Sequence, residues 1–452
     1  MKIYFFISLY LIFFVQAKRF LYLEEENDIP KGRKIIAKIH FINCGRADSI
    51  LIENNNRFGL IDACRPYANA TDVVEKAKGK KGEKNPDKSA QALVNYLNYL
   101  NVTHLDFILA THSHGDHIGG MPQIAYHFVD SNTKYIHKNY RVSKTDNSAY
   151  YNASYNSMKK KGATLIDITD RKYSFFFGVL HLSFVNTNSH KKEEKRSENQ
   201  NAIGTILTYQ NKRIFLASDL EITEDLIYKD QIGKVDLLKL SHHGTGSSSF
   251  EFLNITRPNY TVITNHKLPD YAIIPVSFLQ QRIGGQAFYY GNIKKSSQSV
   301  PESAIRAYIT EDLYDISEYT KYHVDVENTG ENIKLTQILN GFQNYNGYIF
   351  YFDNGIILTG FKQLKANETV EYFYFDQEGI MAIGWKNIFV DDELNVYYFN
   401  EYGHMAIGWK VLQKDDYSCE FYFQKDGKMT KDICIEIEGK EECFDQRGCH
   451  IE

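Results

Sequence analysis

Four candidate metal ligands, His112, His114, Asp116 and His117, fall within six residues of the stretch LDFILATHSHGDHIGGM, Leu105 to Met121. The apolar run Phe107 to Ala110 just before them reads as a buried strand. Imidazoles crowded at a strand end repel one another when protonated. When neutral they leave buried polar nitrogens idle, unless a divalent cation takes up their lone pairs. Positions 112 and 114 can project to one side, while Asp116 and His117 open the next turn and can face a second ion. Gly115, Gly119 and Gly120 let the backbone come close. The stretch therefore predicts a strand, a tight loop and a helix start arranged around metal. The rest of the chain must supply the remaining ligands.

THSHGDHIGG resembles the HxHxDH signature of the metallo-β-lactamase superfamily of metal-dependent hydrolases. That resemblance implies an α+β, four-layer αββα metallo-β-lactamase fold and two divalent metal ions, zinc first and manganese as the alternative. FINCGRADSILIENNNRFGLIDAC, residues 41 to 64, is similar to the opening of the competence-protein branch: strand, G-x-x-D-S, strand, then LID. There Asp62 would accept a hydrogen bond from a ligand histidine and fix its tautomer. Cys64 stands where that branch has glycine. ENQNAIGTILTYQNKRIFLASDLE, 198 to 221, places Asp219 at a strand end as the bridging carboxylate, with a plain helix N-cap as the alternative. Asn201, 18 residues earlier, occupies the place of a further ligand histidine. The first metal site would then be one protein ligand short. His181 and His190 are the nearest imidazoles. In VDLLKLSHHGTGSSSF, 235 to 250, the resemblance assigns His242 to the second metal and His243 to the substrate side, an exchange of the two staying open. His112, His114, Asp116, His117, Asp219 and His242 are thus the expected ligands, and Asp116 and His243 the expected catalytic residues.

The first 17 residues, MKIYFFISLYLIFFVQA, carry one charge and an apolar run from Ile3 to Val15, which predicts a signal peptide cut after Ala17. A membrane anchor is the alternative, but the run is short for a span of about 20 residues. The mature protein is then expected to be extracellular, without stable membrane insertion. A net charge of -4 gives no general reason to expect nucleic-acid binding, leaving nucleic acid only as a substrate. Six cysteines in an exported chain permit disulfides, and four of them lie in residues 419 to 452. Lys34 to Asn43, Ser49 to Glu53 and Phe58 to Ala63 read as a three-stranded meander. Cys44 and Cys64 would meet at its edge, either bridged or as buried thiols.

Past Asn346 the composition shifts to Tyr, Phe, Gly and Asp and a period appears. Gly355, Gly379, Gly403 and Gly427 step by 24, as do Phe350, Tyr374, Tyr398 and Tyr422, and also Phe361, Trp385 and Trp409. Each unit reads as an aromatic strand, a turn and a short strand. Single hairpins are marginal in water, so the units must stack into a β-hairpin repeat solenoid. They resemble the choline-binding or cell-wall-binding repeats of secreted bacterial proteins. The resemblance implies aromatic cages at Phe361, Tyr372, Tyr374 and Trp385, and at Trp385, Tyr398 and Trp409, holding choline by cation–π attraction. A glycan surface or a purely structural solenoid are the alternatives.

The expected organisation is a signal peptide over 1–17, a catalytic domain over 18–335, repeats over 340–433 and a cysteine-rich tail over 434–452. Joined modules of this kind resemble the phosphorylcholine esterase family, which implies a secreted metal-dependent phosphodiesterase acting on a phosphocholine-bearing or glycan cell-surface polymer. An extracellular nuclease or other phosphodiesterase, and a surface-binding protein with a degenerate hydrolase domain, are the competing readings.

Overall fold

In the computed structural model the described residues are 33–66, 89–139, 148–189, 197–245, 248–291, 304–312, 322–326, 331–332, 339–366 and 369–451. The expected signal peptide, residues 67–88 and His190 lie outside them. The chain divides into two compact units, Met1–Lys334 and Leu335–Glu452.

The first unit is built on two eight-stranded mixed sheets. One runs Tyr322–Val326, Ala304–Asp312, Arg33–Ile42, Ile50–Asn54, Arg57–Ile61, Phe107–Ala110, Lys134–His137, Thr164–Asp167. The other runs Glu331–Asn332, Gln286–Tyr289, Tyr260–Ile263, Leu237–Lys239, Lys212–Leu216, Gly204–Tyr209, Leu180–Val185, Ser174–Phe177. The sheets face each other across one apolar cluster, in which Ile39, Phe41, Phe107 and Leu109 of the first meet Leu182, Leu207, Leu216 and Val262 of the second. A second cluster covers the other face of the first sheet, where Leu51, Leu60, Ile108 and Tyr135 pack on helices Ser89–Tyr99, Met121–Phe128 and Ser148–Lys160 through Leu93, Leu97, Ile124 and Met158. Helix Phe250–Thr256 packs on the second sheet through Phe252 against Phe215, and on helix Ile273–Phe278 through Phe250 against Phe278. Because both of its faces are covered, Phe107–Ala110 reads FILA, with all four residues buried and no polar alternation.

In each sheet four consecutive strands run parallel. They are Arg57–Ile61, Phe107–Ala110, Lys134–His137 and Thr164–Asp167 in one, and Lys212–Leu216, Leu237–Lys239, Tyr260–Ile263 and Gln286–Tyr289 in the other. Parallel strands end at a common edge, which is where open α/β sheets gather their chemistry. Asp62, the histidine loop, Asp219, His243 and Thr264 all follow the ends of these strands. The meander of the first three strands forms, and Cys44 and Cys64 at its edge are joined by a disulfide with Cα atoms 5.8 Å apart.

The second unit is a row of hairpins: Gly341–Tyr345 with Tyr348–Asp353, Gly360–Ala366 with Thr369–Phe375, Gly384–Val390 with Glu393–Phe399, and Gly408–Lys414 with Tyr417–Phe423. The methionine that follows each of the last three hairpins donates its N–H back to the hairpin before, Met381 N to Ile349 O, Met405 N to Tyr372 O and Met429 N to Val396 O, each at 2.8 Å. Inward-facing Phe350, Phe352, Phe373, Phe375, Tyr397, Phe399, Phe421 and Phe423 form the buried spine that a lone hairpin could not provide. A last small sheet, Ile433–Ile437, Lys440–Phe444 and His450–Ile451, is fastened by the Cys419–Cys449 and Cys434–Cys443 bridges.

Candidate functional site

At the shared strand edge, the loop after Phe107–Ala110 turns directly into the short helix Gly115–Ile118. His112 and His117 are fully buried, their ring centroids 4.1 Å apart. Asp219 reaches into the same space from the other sheet, with Oδ2 3.2 Å from His117 Nε2 and 3.9 Å from His112 Nε2, and Oδ1 3.5 Å from His243 Nε2. Asp116 Oδ2 lies 4.0 Å from His243 Nε2, and His114 Nδ1 lies 3.0 Å from His112 Nε2. His117 Nε2, His243 Nε2 and Asp219 Oδ1 are buried without a hydrogen-bond partner among the described residues. Buried polar atoms are nearly always satisfied, so three idle atoms in one cluster fit cations that would use them. His112, His117 and Asp219 can meet at one such point, and Asp116, His117 and His243 at another.

Buried carboxylates set the histidines behind this cluster. His117 Nδ1 donates to Asp62 Oδ2 (2.7 Å), while Asp62 also accepts from Thr111 N (3.0 Å) and Thr111 Oγ1 (2.7 Å). Ser218 Oγ donates to Thr111 Oγ1 in turn, tying the two strand ends together. Burial alone would keep His117 neutral, yet the charges of Asp219 and Asp62 hold its pKa well above the ordinary imidazole value. His112 moves the other way, pushed well down by burial and by the neighbouring His117. Burial works against ionised Asp219, but His117 and His243 overcome it and keep that carboxylate well below its usual range. Anionic oxygen beside imidazole nitrogen is a donor set suited to zinc and similar divalent ions.

The two adjacent histidines take the exchanged places that the sequence left open. His243 is fully buried and faces Asp116 and Asp219, whereas the His242 side chain is a quarter exposed, with Nε2 3.8 Å from Asp219 Oδ2. Both residues have left-handed backbone (φ 47° and 53°), so the chain coils as it leaves strand Leu237–Lys239, and the second ring points inward. Asn201 turns its amide toward Glu198 Oε2 (3.3 Å), while Asn199 places Nδ2 3.4 Å from both ring nitrogens of His242. Glu198 itself clamps the histidine loop by accepting from Ser113 N (2.9 Å) and Ser113 Oγ (2.6 Å). Helix Ile222–Ile232 begins with Glu221 as its N-cap residue, so Asp219 is not that cap. His181 sits on strand Leu180–Val185, its ring against Phe176.

Two buried charges escaped the sequence reading, Asp48 and Lys239, which pair at 2.5 Å within the cluster. Asp48 is the acid of the G-x-x-D-S pattern, a signal that could have marked it. Lys239 sits in an apolar strand and carries no local mark.

In the repeat unit, each aromatic after a turn glycine packs between one ring of its own hairpin and one of the next. Phe342 meets Tyr351 (4.9 Å) and Phe373 (5.2 Å), and Phe361 meets Tyr374 (4.8 Å) and Tyr397 (5.0 Å). Trp385 meets Tyr398 (5.1 Å) and Phe421 (5.0 Å), and Trp409 meets Tyr422 (5.1 Å) and Phe444 (5.6 Å). The ring sets differ from those expected. Tyr397 takes the place foreseen for Tyr372, which is exposed, and no ring contact joins Trp385 to Trp409 among the described residues. Lys414 Nζ sits 4.9 Å over the Trp385 ring. A cavity of about 350 Å³ opens where Phe342, Ile349, Phe373 and Met381 meet Lys365, Glu401, Tyr402 and His404.

Residues 87–247 match the family described as the Beta-lactamase superfamily domain. That match lies within the first unit and agrees with its two facing sheets and its His/Asp cluster fit for divalent metal, while the second unit is a row of aromatic hairpin repeats. No curated protein matches the chain. Among solved structures, choline binding protein F from Streptococcus pneumoniae is 20% identical over 30% of this chain and 44% of its own, with a TM-score of 0.21. A diphosphatase of the PhnP family is 10% identical over 50% of this chain and 85% of its own (TM-score 0.30). Zn(2+)-bound PqqB from Methylobacterium extorquens is 13% identical over 45% and 72% (TM-score 0.27). The chain spans less than half the length of the choline-binding structure.

Proposed function

We propose that this protein is an extracellular, metal-dependent phosphodiesterase that releases phosphocholine from a cell-surface polymer. The observation that carries the reading is the cluster holding the unpartnered His117 Nε2, His243 Nε2 and Asp219 Oδ1, in a chain whose aromatic repeats resemble choline-binding repeats in sequence. His112, His114 and Asp219 would hold one divalent ion, and Asp116, His117, Asp219 and His243 a second, with zinc the best match to the donors. When bound, these ions supply Lewis-acid neutralisation of charge on a phosphoryl oxygen and a nucleophilic water at neutral pH. Asp62 fixes the Nδ1 proton of His117, leaving Nε2 for the metal. His242, partly open to solvent beside Asn199, is placed to bind the substrate or to give a proton to the departing alkoxide. The repeats would bring the enzyme to a choline-decorated polymer and raise the local concentration of its substrate.

The test is hydrolysis of p-nitrophenyl phosphorylcholine, bis-p-nitrophenyl phosphate and single-stranded DNA by the purified full chain, with and without chelator. Chelator-sensitive cleavage of the choline ester in preference to the other two is expected. Cleavage of DNA alone would replace this reading with that of a nuclease. No cleavage of any substrate, with no bound metal, would leave a binding protein.

A further inference from the structure

Behind His243 lies a second buried carboxylate with no part in the reading so far. Asp48 Oδ1 is 3.3 Å from His243 Nδ1 and accepts from Thr264 Oγ1 at 2.6 Å, while Thr264 Oγ1 also lies 3.1 Å from His243 Nδ1. Asp48 Oδ2 is held 2.5 Å from Lys239 Nζ, and that ammonium also donates to Ser218 O (2.8 Å) and stands 3.9 Å from Asp219 Oδ1. Lys239, Asp48 and His243 are all fully buried or nearly so. The backbone fixes Asp48 as well, its N–H donating to Asp116 O (3.1 Å) and its carbonyl accepting from Cys64 N (2.9 Å). The arrangement repeats on the His243 side what Asp62 does for His117: a buried carboxylate at Nδ1, a threonine hydroxyl on the carboxylate, and an unpartnered Nε2 aimed into the cluster.

We propose that Asp48 is a positioning residue for His243: pinned by Lys239 and Thr264, its carboxylate accepts a hydrogen bond from Nδ1–H and so leaves the Nε2 lone pair for a metal ion. The proposal rests on the metal-dependent reading of the same cluster. Lys239 has two effects in this scheme. It holds the Asp48 carboxylate through Oδ2, and it stands beside Asp219, 3.9 Å from Oδ1. A buried ion pair is weak evidence of net stabilisation, since replacing both partners by neutral groups is often harmless, whereas removing one strands the other. That asymmetry separates a positioning role from mere charge balance.

The experiment compares Asp48→Asn, Lys239→Met, the double variant and Thr264→Val with the wild type in two measurements. One is the thermal midpoint of the metal-stripped protein. The other is zinc affinity by competition with a chromophoric chelator. Each charge-removing single variant should lower the midpoint, and the double variant should recover much of that loss. Zinc binding to the site that His243 serves should nevertheless stay about 10–100-fold below wild type in the double variant, the usual effect of losing a carboxylate behind a ligand histidine. Thr264→Val, which keeps both charges, should show a smaller loss of zinc affinity with its fold intact, and it decides the matter if the double variant does not fold. Recovery of both midpoint and zinc affinity in the double variant, or unchanged affinity in Thr264→Val where that variant decides, would overturn the proposal. A wild type that binds no zinc removes the metal-dependent reading itself and the proposal with it, a result read from the wild-type arm alone.

Discussion

The inward turn of His243 and the outward place of His242 make a sharp prediction. A four-donor zinc site is worth about 10–16 kcal/mol at neutral pH, so one donor accounts for roughly 3 kcal/mol. That corresponds to about two orders of magnitude in affinity. His243→Ala deletes a fully buried ring whose Nε2 is 3.5 Å from Asp219 and whose Nδ1 is 3.3 Å from Asp48. It should therefore weaken one of the two ions about 100-fold and leave the other in place. It should also destabilise the metal-free chain by about 1–3 kcal/mol, because Asp48 and Thr264 lose a buried partner. His242→Ala removes a side chain that is a quarter exposed and should leave the metal content unchanged. If His242 contacts the substrate, turnover of bis-p-nitrophenyl phosphate should fall by about 10²–10⁴, the range for a lost general acid or base. Metal content after dialysis against a weak chelator, read by atomic emission beside the hydrolysis rate, distinguishes the two. Loss of a metal in His242→Ala with full retention in His243→Ala would refute the geometry.

Three further outcomes follow from other parts of the molecule. Asp225 is buried and its pKa is pushed well up, by burial first and then by Glu224, so the folded chain keeps a proton that the unfolded chain releases. Its stabilisation is complete below the ordinary carboxylate range and fades as the pH rises through the folded value; Asp225→Asn should therefore gain on the order of 1–2 kcal/mol at about pH 8 and little in acid, and equal urea midpoints at both would contradict this. Lys414 occupies the face of Trp385 by cation–π contact, so Lys414→Gln should raise affinity for a quaternary ammonium there by about 2–5-fold. Tryptophan fluorescence can follow it, since the chain has two tryptophans, and unchanged affinity would show that this face is not a ligand site. Replacing Cys44 and Cys64 with serine opens a loop of sequence separation 20 and should cost about 3 kcal/mol in denaturant stability, a loss near zero marking a bridge that constrains nothing.

Local signals were strong where the chemistry is local. The histidine loop announces itself because four ligand-type residues share six positions, and the three-strand meander shows in alternating apolar runs broken by the turn at Asn55 and Asn56. The repeat period reveals the strands but not their pairing: the sequence groups each short strand with the aromatic strand before it, whereas in the structure it pairs with the one after it, Trp385 opposite Tyr398 and Trp409 opposite Tyr422. The partner across hairpins was not legible. Whether Trp385 meets Phe421 or Trp409 depends on how far each hairpin is turned relative to the last, and no spacing along the chain encodes that angle.

The site was hardest to read where its partners are far apart in sequence or its backbone leaves the regular pattern. Asp48 and Lys239 are 191 positions apart, and each looks ordinary alone, one an acid in a Gly-containing loop and the other a lysine closing a short strand. Only the facing of two sheets makes them a pair, because the strand that carries Lys239 and the loop that carries Asp48 belong to opposite layers. The histidine doublet failed for a different reason. Alternation in and out holds only while the backbone stays extended, and His242 and His243 both adopt the left-handed region, where non-glycine residues are uncommon. Local strain of this kind persists when the surroundings over-determine it. Here Thr264 and Asp48 hold the second ring, and His242 N bonds Ser218 O at 3.0 Å. The contacts that hold the doublet in this conformation, none of them local in sequence, are therefore the ones that aim His243 at the cluster.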